Sequence, residues 1–140
     1  MTKCALLLCA MLTCGCEHKT YQLAEVAGRV THGGQPMAGI SISFQPMATE
    51  KSTLSPGPGS AAMTDSAGHY RLDTAEQTRQ SGAIVGQHRV FLRAVAQNNS
   101  SDDGGYLRDP RIPPRYYDGS TVIRVPPEGL TSADFELAPP

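Results

Sequence analysis

Every cysteine of this 140-residue chain falls within the first sixteen positions, at Cys4, Cys9, Cys14 and Cys16. A body folded from the remainder can have neither a disulfide framework nor a cysteine-ligated zinc site. It must be held together by apolar burial. Hydrophobic residues make up 39% of the chain and charged residues 18%, a globular rather than a disordered composition. The length suits one domain and is short for two. The formal net charge is -1, so no basic excess is available to neutralise phosphates and nucleic acid is not an expected partner. Trp is absent and the chain has only five Tyr and three Phe, so few rings are available for stacking platforms.

The apolar residues are laid out with the period of β-strands. Ile40, Ile42 and Phe44 alternate with Ser41, Ser43 and Gln45, the pattern of a strand with one buried face. Six further stretches read as strands: 26–31, 61–64, 69–73, 87–96, 121–125 and 133–137. In the longest, Val90, Leu92 and Ala94 share one face while Phe91 and Val95 lie on the other, which suggests cover on both sides. Turn residues punctuate the series. His32-Gly33-Gly34-Gln35 and Asp65-Ser66-Ala67-Gly68 read as tight turns. Gly28 marks a bulge or a close backbone approach, and Pro36 pre-sets a turn. Residues 47–60 and 97–119 read as loops, and 74–81 as at most one helical turn. Seven short strands without a convincing helix predict an all-β fold, a single antiparallel β-sandwich over residues 26–138.

The N-terminus reads as a targeting segment. Lys3 is followed by Cys4-Ala-Leu-Leu-Leu-Cys-Ala-Met-Leu-Thr13, an apolar run with the length of a secretory signal core. It is far short of the roughly 20 residues that span a bilayer. Leu12-Thr13-Cys14-Gly15-Cys16 resembles the bacterial lipoprotein signal, in which small residues precede a cysteine that is acylated and becomes the mature N-terminus. The resemblance implies a signal peptide over 1–15, lipidation (palmitate-type acylation) at Cys16, and Cys14 as the fallback acceptor. Thr13 departs from the pattern, which prefers an aliphatic residue three before the acceptor. Residues 16–25 are expected to form a tether. The implied location is the cell envelope, at the outer membrane or the periplasmic face of the inner membrane, with the lipid as the contact to the bilayer.

A second resemblance covers most of the mature chain. Val26-x-Gly28-x-Val30 is followed by Gly34-Gln-Pro-Met-Ala-Gly-Ile40 and Phe44-x-Pro46. Thr64-Asp65-x-x-Gly68-x-Tyr70-x-Leu72, Gly82-Ala83-x-x-Gly86 and Ile112-Pro113-x-x-Tyr116 come next. In this order the motifs resemble planctomycete-type bacterial lipoproteins with a carboxypeptidase-regulatory-like domain. The resemblance implies a transthyretin-like, Ig-like Greek-key sandwich of seven strands and no established activity. Its motifs encode turns and core positions. Tyr70, for example, reads as a core ring with its hydroxyl satisfied at the rim.

Residue patterns that would carry chemistry are sparse. The histidines His18, His32, His69 and His88 form no close metal-binding pair, and His69 and His88 read as exposed strand residues. Asp102, Asp103 and Asp109 lack the spacing of a calcium loop and read as a solvated acidic loop. Tyr117-Asp-Gly-Ser120 is only distantly similar to the ending of transthyretin-related hydrolases. No Gly-x-Ser-x-Gly elbow is present, and Lys51, in a loop, is unsuited to an internal isopeptide bond. Asn98 and Asn99 match glycosylation acceptors that a bacterial lipoprotein would not use. One cluster combines cations and rings: Tyr106, Arg108, Arg111, Arg115, Tyr116 and Tyr117. It is the candidate binding patch for acidic groups, set against a proline-braced loop that packs its tyrosines onto the sheet edge. The sequence therefore predicts a non-catalytic, lipid-anchored binding or structural module. It is expected to need no metal or cofactor and to meet an envelope protein or a glycan. A carbohydrate-binding module is the alternative, and a hydrolase ranks third.

Overall fold

The computed structural model describes residues 21–48, 56–95 and 106–137. Over these residues the protein is all-β. In chain order the strands are β1 (Leu23–Ala24), β2 (Ala27–His32), β3 (Gln35–Pro36), β4 (Ile40–Pro46), β5 (Ser60–Met63), β6 (His69–Arg71), β7 (Asp73–Thr74), β8 (Ala83–Ile84), β9 (Gly86–Val95), β10 (Tyr106–Leu107), β11 (Val122–Val125) and β12 (Phe135–Glu136). The only helical element among the described residues is a single 3-10 turn, Pro114–Tyr116. Residues 75–80 form bends and coil, so the expected helical turn there is absent. Thr74 explains this locally: its Oγ1 accepts the Gln80 backbone N–H at 3.0 Å and its own N–H reaches the Gln80 carbonyl at 2.8 Å. The segment closes as a loop between β7 and β8.

The larger sheet is built on β4 and β9, which pair antiparallel from Ile40↔Ala94 to Pro46↔His88. On the far side of β4 lies β5, followed by β7. The other edge of β9 is shared: β11 pairs with its first half and β10 with its last two residues. The second sheet centres on β2. One edge of β2 carries β6 and the short hairpin strand β3. The other carries β12, which runs parallel to β2. That pairing corrects the expectation of a wholly antiparallel fold. A parallel partner needs a long crossover, and nearly the whole domain separates β2 from β12.

Strand chemistry follows the sequence closely. In β4 the apolar positions are buried and the polar ones are not, with Phe44 and Ile42 fully enclosed. The rings of Phe44 in the larger sheet and Phe135 in the second meet edge to face at 6.4 Å, so the inner faces of the two sheets share one core. Val26, Val30, Leu72, Ala83, Val90, Leu92 and Val125 are fully buried in it. Gly33 (φ 56°) and Gly34 (φ 76°) make the tight β2–β3 hairpin in the left-handed region that glycine favours. At the next predicted turn, Asp65 Oδ1 accepts the N–H groups of Ala67 and His69, both at 2.9 Å.

Gly28 shows the close approach read from the sequence. A methyl group there would be driven into the carbonyl of Ala133. The same carbonyl oxygen accepts the Tyr70 hydroxyl at 2.6 Å. Tyr70 is buried, not at the rim, and burial raises its hydroxyl pKa well above the ordinary tyrosine range.

Residues 21–25, assigned to the tether from sequence, belong to the folded body. Leu23 and Ala24 pair with Ile84 and Ala83, and Ala24 is buried. The signal segment and residues 16–20 lie outside the described residues, as do Lys51 and the glycosylation-like asparagines.

Candidate functional site

Cys16 and Cys14 lie outside the described residues, but the start of the folded body bounds their distance from it. The first described residue, Tyr21, is five positions beyond Cys16. Its hydroxyl donates to the Glu76 carboxylate at 3.1 Å, and the neighbouring Gln22 carbonyl accepts the Val85 N–H at 2.9 Å. Five extended residues reach at most about 17 Å. Any group attached at Cys16 is therefore tethered within about that distance of Tyr21, beside the β1–β8 pair. From there β9 runs for about 30 Å of extended chain to its pairing with Tyr106. The predicted binding cluster thus lies toward the opposite end.

Within that cluster the six residues do different things. Tyr116 is buried and stands edge-on to Phe135 at 5.8 Å, so it is a core ring. Proline at the start of the 3-10 turn fixes the backbone that places it there. Tyr117 is half-buried, and its hydroxyl accepts the Asp109 N–H at 2.9 Å. Arg111 makes a bidentate pair with Asp109, 3.0 Å from Nε to Oδ1 and 2.6 Å from Nη2 to Oδ2. This pairing holds the Asp109 carboxyl below its ordinary range and raises the Arg111 guanidinium. Asp109 is accordingly a loop-bracing residue, not the solvated acid expected from sequence. Tyr106, Arg108 and Arg115 remain exposed. Arg108 lies over the Tyr117 ring at 5.3 Å and Arg115 over the Tyr116 ring at 4.9 Å.

The geometry adds residues that the sequence reading passed over. Arg93 on β9 lies between two rings, 5.7 Å from Phe91 and 5.2 Å from Tyr106. Arg89 projects from the same face of β9 four residues earlier, and the cross-strand pairs Val122↔Arg89 and Arg124↔Gln87 put Arg124 on that face too. The signal was present: arginines at positions 89 and 93 alternate with buried Val90 and Leu92. On the other side of β9, Ser41, Ser43 and Gln45 stand beside Arg93, Phe91 and Arg89. Phe91 is only half-buried, and Gly119 packs against its ring. The outer face of β9 is therefore covered at that one point.

A shallow groove of about 610 Å³ crosses the same sheet at its β5–β7 side, lined by Ser41, Met63, Arg71, Asp73, Glu76 and Arg79. Its charges are mixed, and Arg71 is paired with Glu25 at 3.0 Å.

Among the described residues the histidines do not converge on a common site. His69 is exposed on β6, whereas His88 on β9 is 1% exposed, a correction to the exposed strand position expected for it. The His88 ring packs 5.8 Å from Phe44. Its Nδ1 lies 3.2 Å from the Gly86 carbonyl. A carbonyl can only accept, so Nδ1 carries the proton and Nε2 is an acceptor with no hydrogen-bond partner. Burial lowers the His88 pKa and keeps the ring neutral. Among the described residues no three His, Cys, Asp or Glu side chains are placed to hold a metal ion, and no helix is long and apolar enough to cross a membrane. In comparisons with protein-family models, curated proteins and solved structures, nothing matches the chain.

Proposed function

We propose that this chain is a lipid-anchored cell-envelope protein whose body is a non-catalytic binding or structural module. The observation that carries the reading is the spacing between its two parts. A lipoprotein-like signal ends at Cys16, and the folded body begins within five residues of it, at Tyr21. Signal, acceptor cysteine and domain follow one another with almost no spare chain. After cleavage Cys16 would be the sole cysteine of the protein, with no disulfide role to compete with acylation.

We further read the body as a seven-strand sandwich of the transthyretin-like, carboxypeptidase-regulatory-like kind. In that reading β2, β4, β5, β6, β9, β11 and β12 are its principal strands, and β1, β3, β7, β8 and β10 are short edge additions. The Phe44–Phe135 contact between the two sheets supports it. Such a fold supplies a scaffold, and activity would have to come from a site placed on it.

Membrane fractionation of cells that express the wild-type chain or Cys16→Ser tests the anchor. The wild type should stay with membranes through a high-salt wash, and Cys16→Ser should be released or remain unprocessed. Equal release of both would remove the lipid anchor from the account.

A further inference from the structure

The arginines of this chain are unevenly distributed. Six of the nine lie between positions 89 and 124, although the whole chain carries a formal charge of -1. Of the six, Arg111 is neutralised by Asp109. The other five, Arg89, Arg93, Arg108, Arg115 and Arg124, make no ion pair among the described residues. The backbone register places Arg89, Arg93 and Arg124 on the outer face of the larger sheet. Arg108 and Arg115 stand on the segment that borders the same edge of β9. Three of the five are stacked on rings: Arg93 on Phe91 and Tyr106, Arg108 on Tyr117, and Arg115 on Tyr116.

Stacking uses the flat face of a guanidinium and leaves its N–H edge free. It also fixes the side chain, so less entropy is lost when that edge meets an oxyanion. The result is three pre-positioned forks, at Arg93, Arg108 and Arg115, each suited to a carboxylate or a sulfate. Between them the face offers Ser41, Ser43 and Gln45 as neutral hydrogen-bonding groups and the partly exposed Phe91 ring as an apolar one. Arg89 and Arg93 are separated by about 13 Å of strand, and with Arg124, Arg108 and Arg115 they spread positive charge along the face and its border. An extended chain with repeated negative charges and hydroxyl groups can engage several of them at once.

We infer that the outer face of β9, with its bordering segment, binds an anionic polysaccharide, and that charge complementarity with acidic sugar units selects it. This inference rests on the envelope reading, because that location is what brings the face to glycans. It narrows the ligand from glycans in general to acidic ones. It also places binding on the flank of the body, along β9 from Arg124 beside Gln87 near the β1–β8 end to Arg93 beside Tyr106 toward the other.

The test is binding of the purified full chain, kept in detergent, to immobilised dextran sulfate, with uncharged dextran of equal length as control. The inference predicts retention on dextran sulfate, none on dextran, and an affinity that falls steadily with salt. Arg89→Gln with Arg93→Gln should weaken binding at least about tenfold while the chain stays folded, with only a small drop in the thermal unfolding midpoint from the lost contacts of Arg93 with its two rings. Arg29→Gln with Arg71→Gln removes the same charge from the second sheet and should change binding less than about twofold. Equal binding to dextran and dextran sulfate would overturn the inference. So would equal losses in the two double variants, or duplex DNA or anionic lipid vesicles binding as tightly as dextran sulfate. The measurement does not involve the lipid, so its failure is distinct from failure of the anchor, which membrane fractionation of Cys16→Ser reports.

Discussion

Gly28→Ala is the perturbation whose cost follows most directly from the geometry. The new methyl would fall on the Ala133 carbonyl, 2.5 Å from its carbon. Carbon atoms pack comfortably at about 3.5–4 Å, so β2 and the segment that enters β12 must separate by about 1 Å. Two hydrogen bonds cross that gap: Ala133 N–H to the Ala27 carbonyl at 3.0 Å, and the Tyr70 hydroxyl to the Ala133 carbonyl at 2.6 Å. Overpacking costs about 1–3 kcal/mol, and weakening a buried hydrogen bond about 1–3 kcal/mol. The terms overlap, and their joint effect is about 3–5 kcal/mol. That is a large share of the roughly 5–15 kcal/mol that holds a small domain together. Gly34→Ala is the matched control: φ there is 76° and nothing lies within 4 Å, so it should cost about 1–2 kcal/mol of backbone strain alone. Urea unfolding followed by tyrosine fluorescence reads both. At a slope of about 1–3 kcal/mol per molar, Gly28→Ala should lower the midpoint by about 2 M, at least twice the drop in Gly34→Ala. Equal drops would refute the close-approach argument.

Three other outcomes are expected. Thr64→Val removes a buried hydroxyl that donates to the Met37 carbonyl at 2.7 Å and accepts the Ile40 N–H at 2.9 Å. It should cost about 2–3 kcal/mol, read by the same urea unfolding, and a loss below about 0.5 kcal/mol would show that the bridge is dispensable. His88 is kept neutral by burial and its pKa is lowered, so the unfolded chain takes up a proton that the folded one resists. Stability should be flat above about pH 6.5 and fall as the pH drops below it. His88→Phe should abolish that loss between about pH 6.5 and 5, above the range where Asp65, Asp109 and Asp118, all held below their ordinary values, begin to protonate. In an ultraviolet pH titration the Tyr70 hydroxyl should not ionise until the chain unfolds, because burial raises its pKa. Tyr70→Phe should shrink the absorbance step that accompanies alkaline unfolding, and an unchanged step would refute the assignment.

What the sequence revealed, and what it hid, divides along physical lines. The alternation at Ile40 to Gln45 fixes a face by a local rule, and β4 forms with that face buried. Turn chemistry at Gly33-Gly34 and Asp65-Gly68 is equally local and equally legible. β1 was not. Leu23 and Ala24 sit among polar residues, and their strand exists only because β8 is there to pair with. That pairing also needs Gly82, where a side chain would collide with the Ala24 carbonyl. The parallel placement of β12 against β2 is likewise a property of the whole chain. In the candidate site, the grouping of arginines with tyrosines was visible in the sequence at 106–117. That Tyr116 turns inward to Phe135 and Arg111 is held by Asp109 was not, because both partners are set by how the loop folds. Arg93 escaped notice because its ring partner Tyr106 lies on another strand.

The central claim is the lipid at Cys16, and the intact mass of the mature protein, with its N-terminal peptide, tests it most directly. The account predicts a chain that begins at Cys16 and carries two or three acyl chains, and an unacylated, uncleaved or soluble product from Cys16→Ser. A mature chain that begins elsewhere, or a Cys16 found as a free thiol, would contradict it.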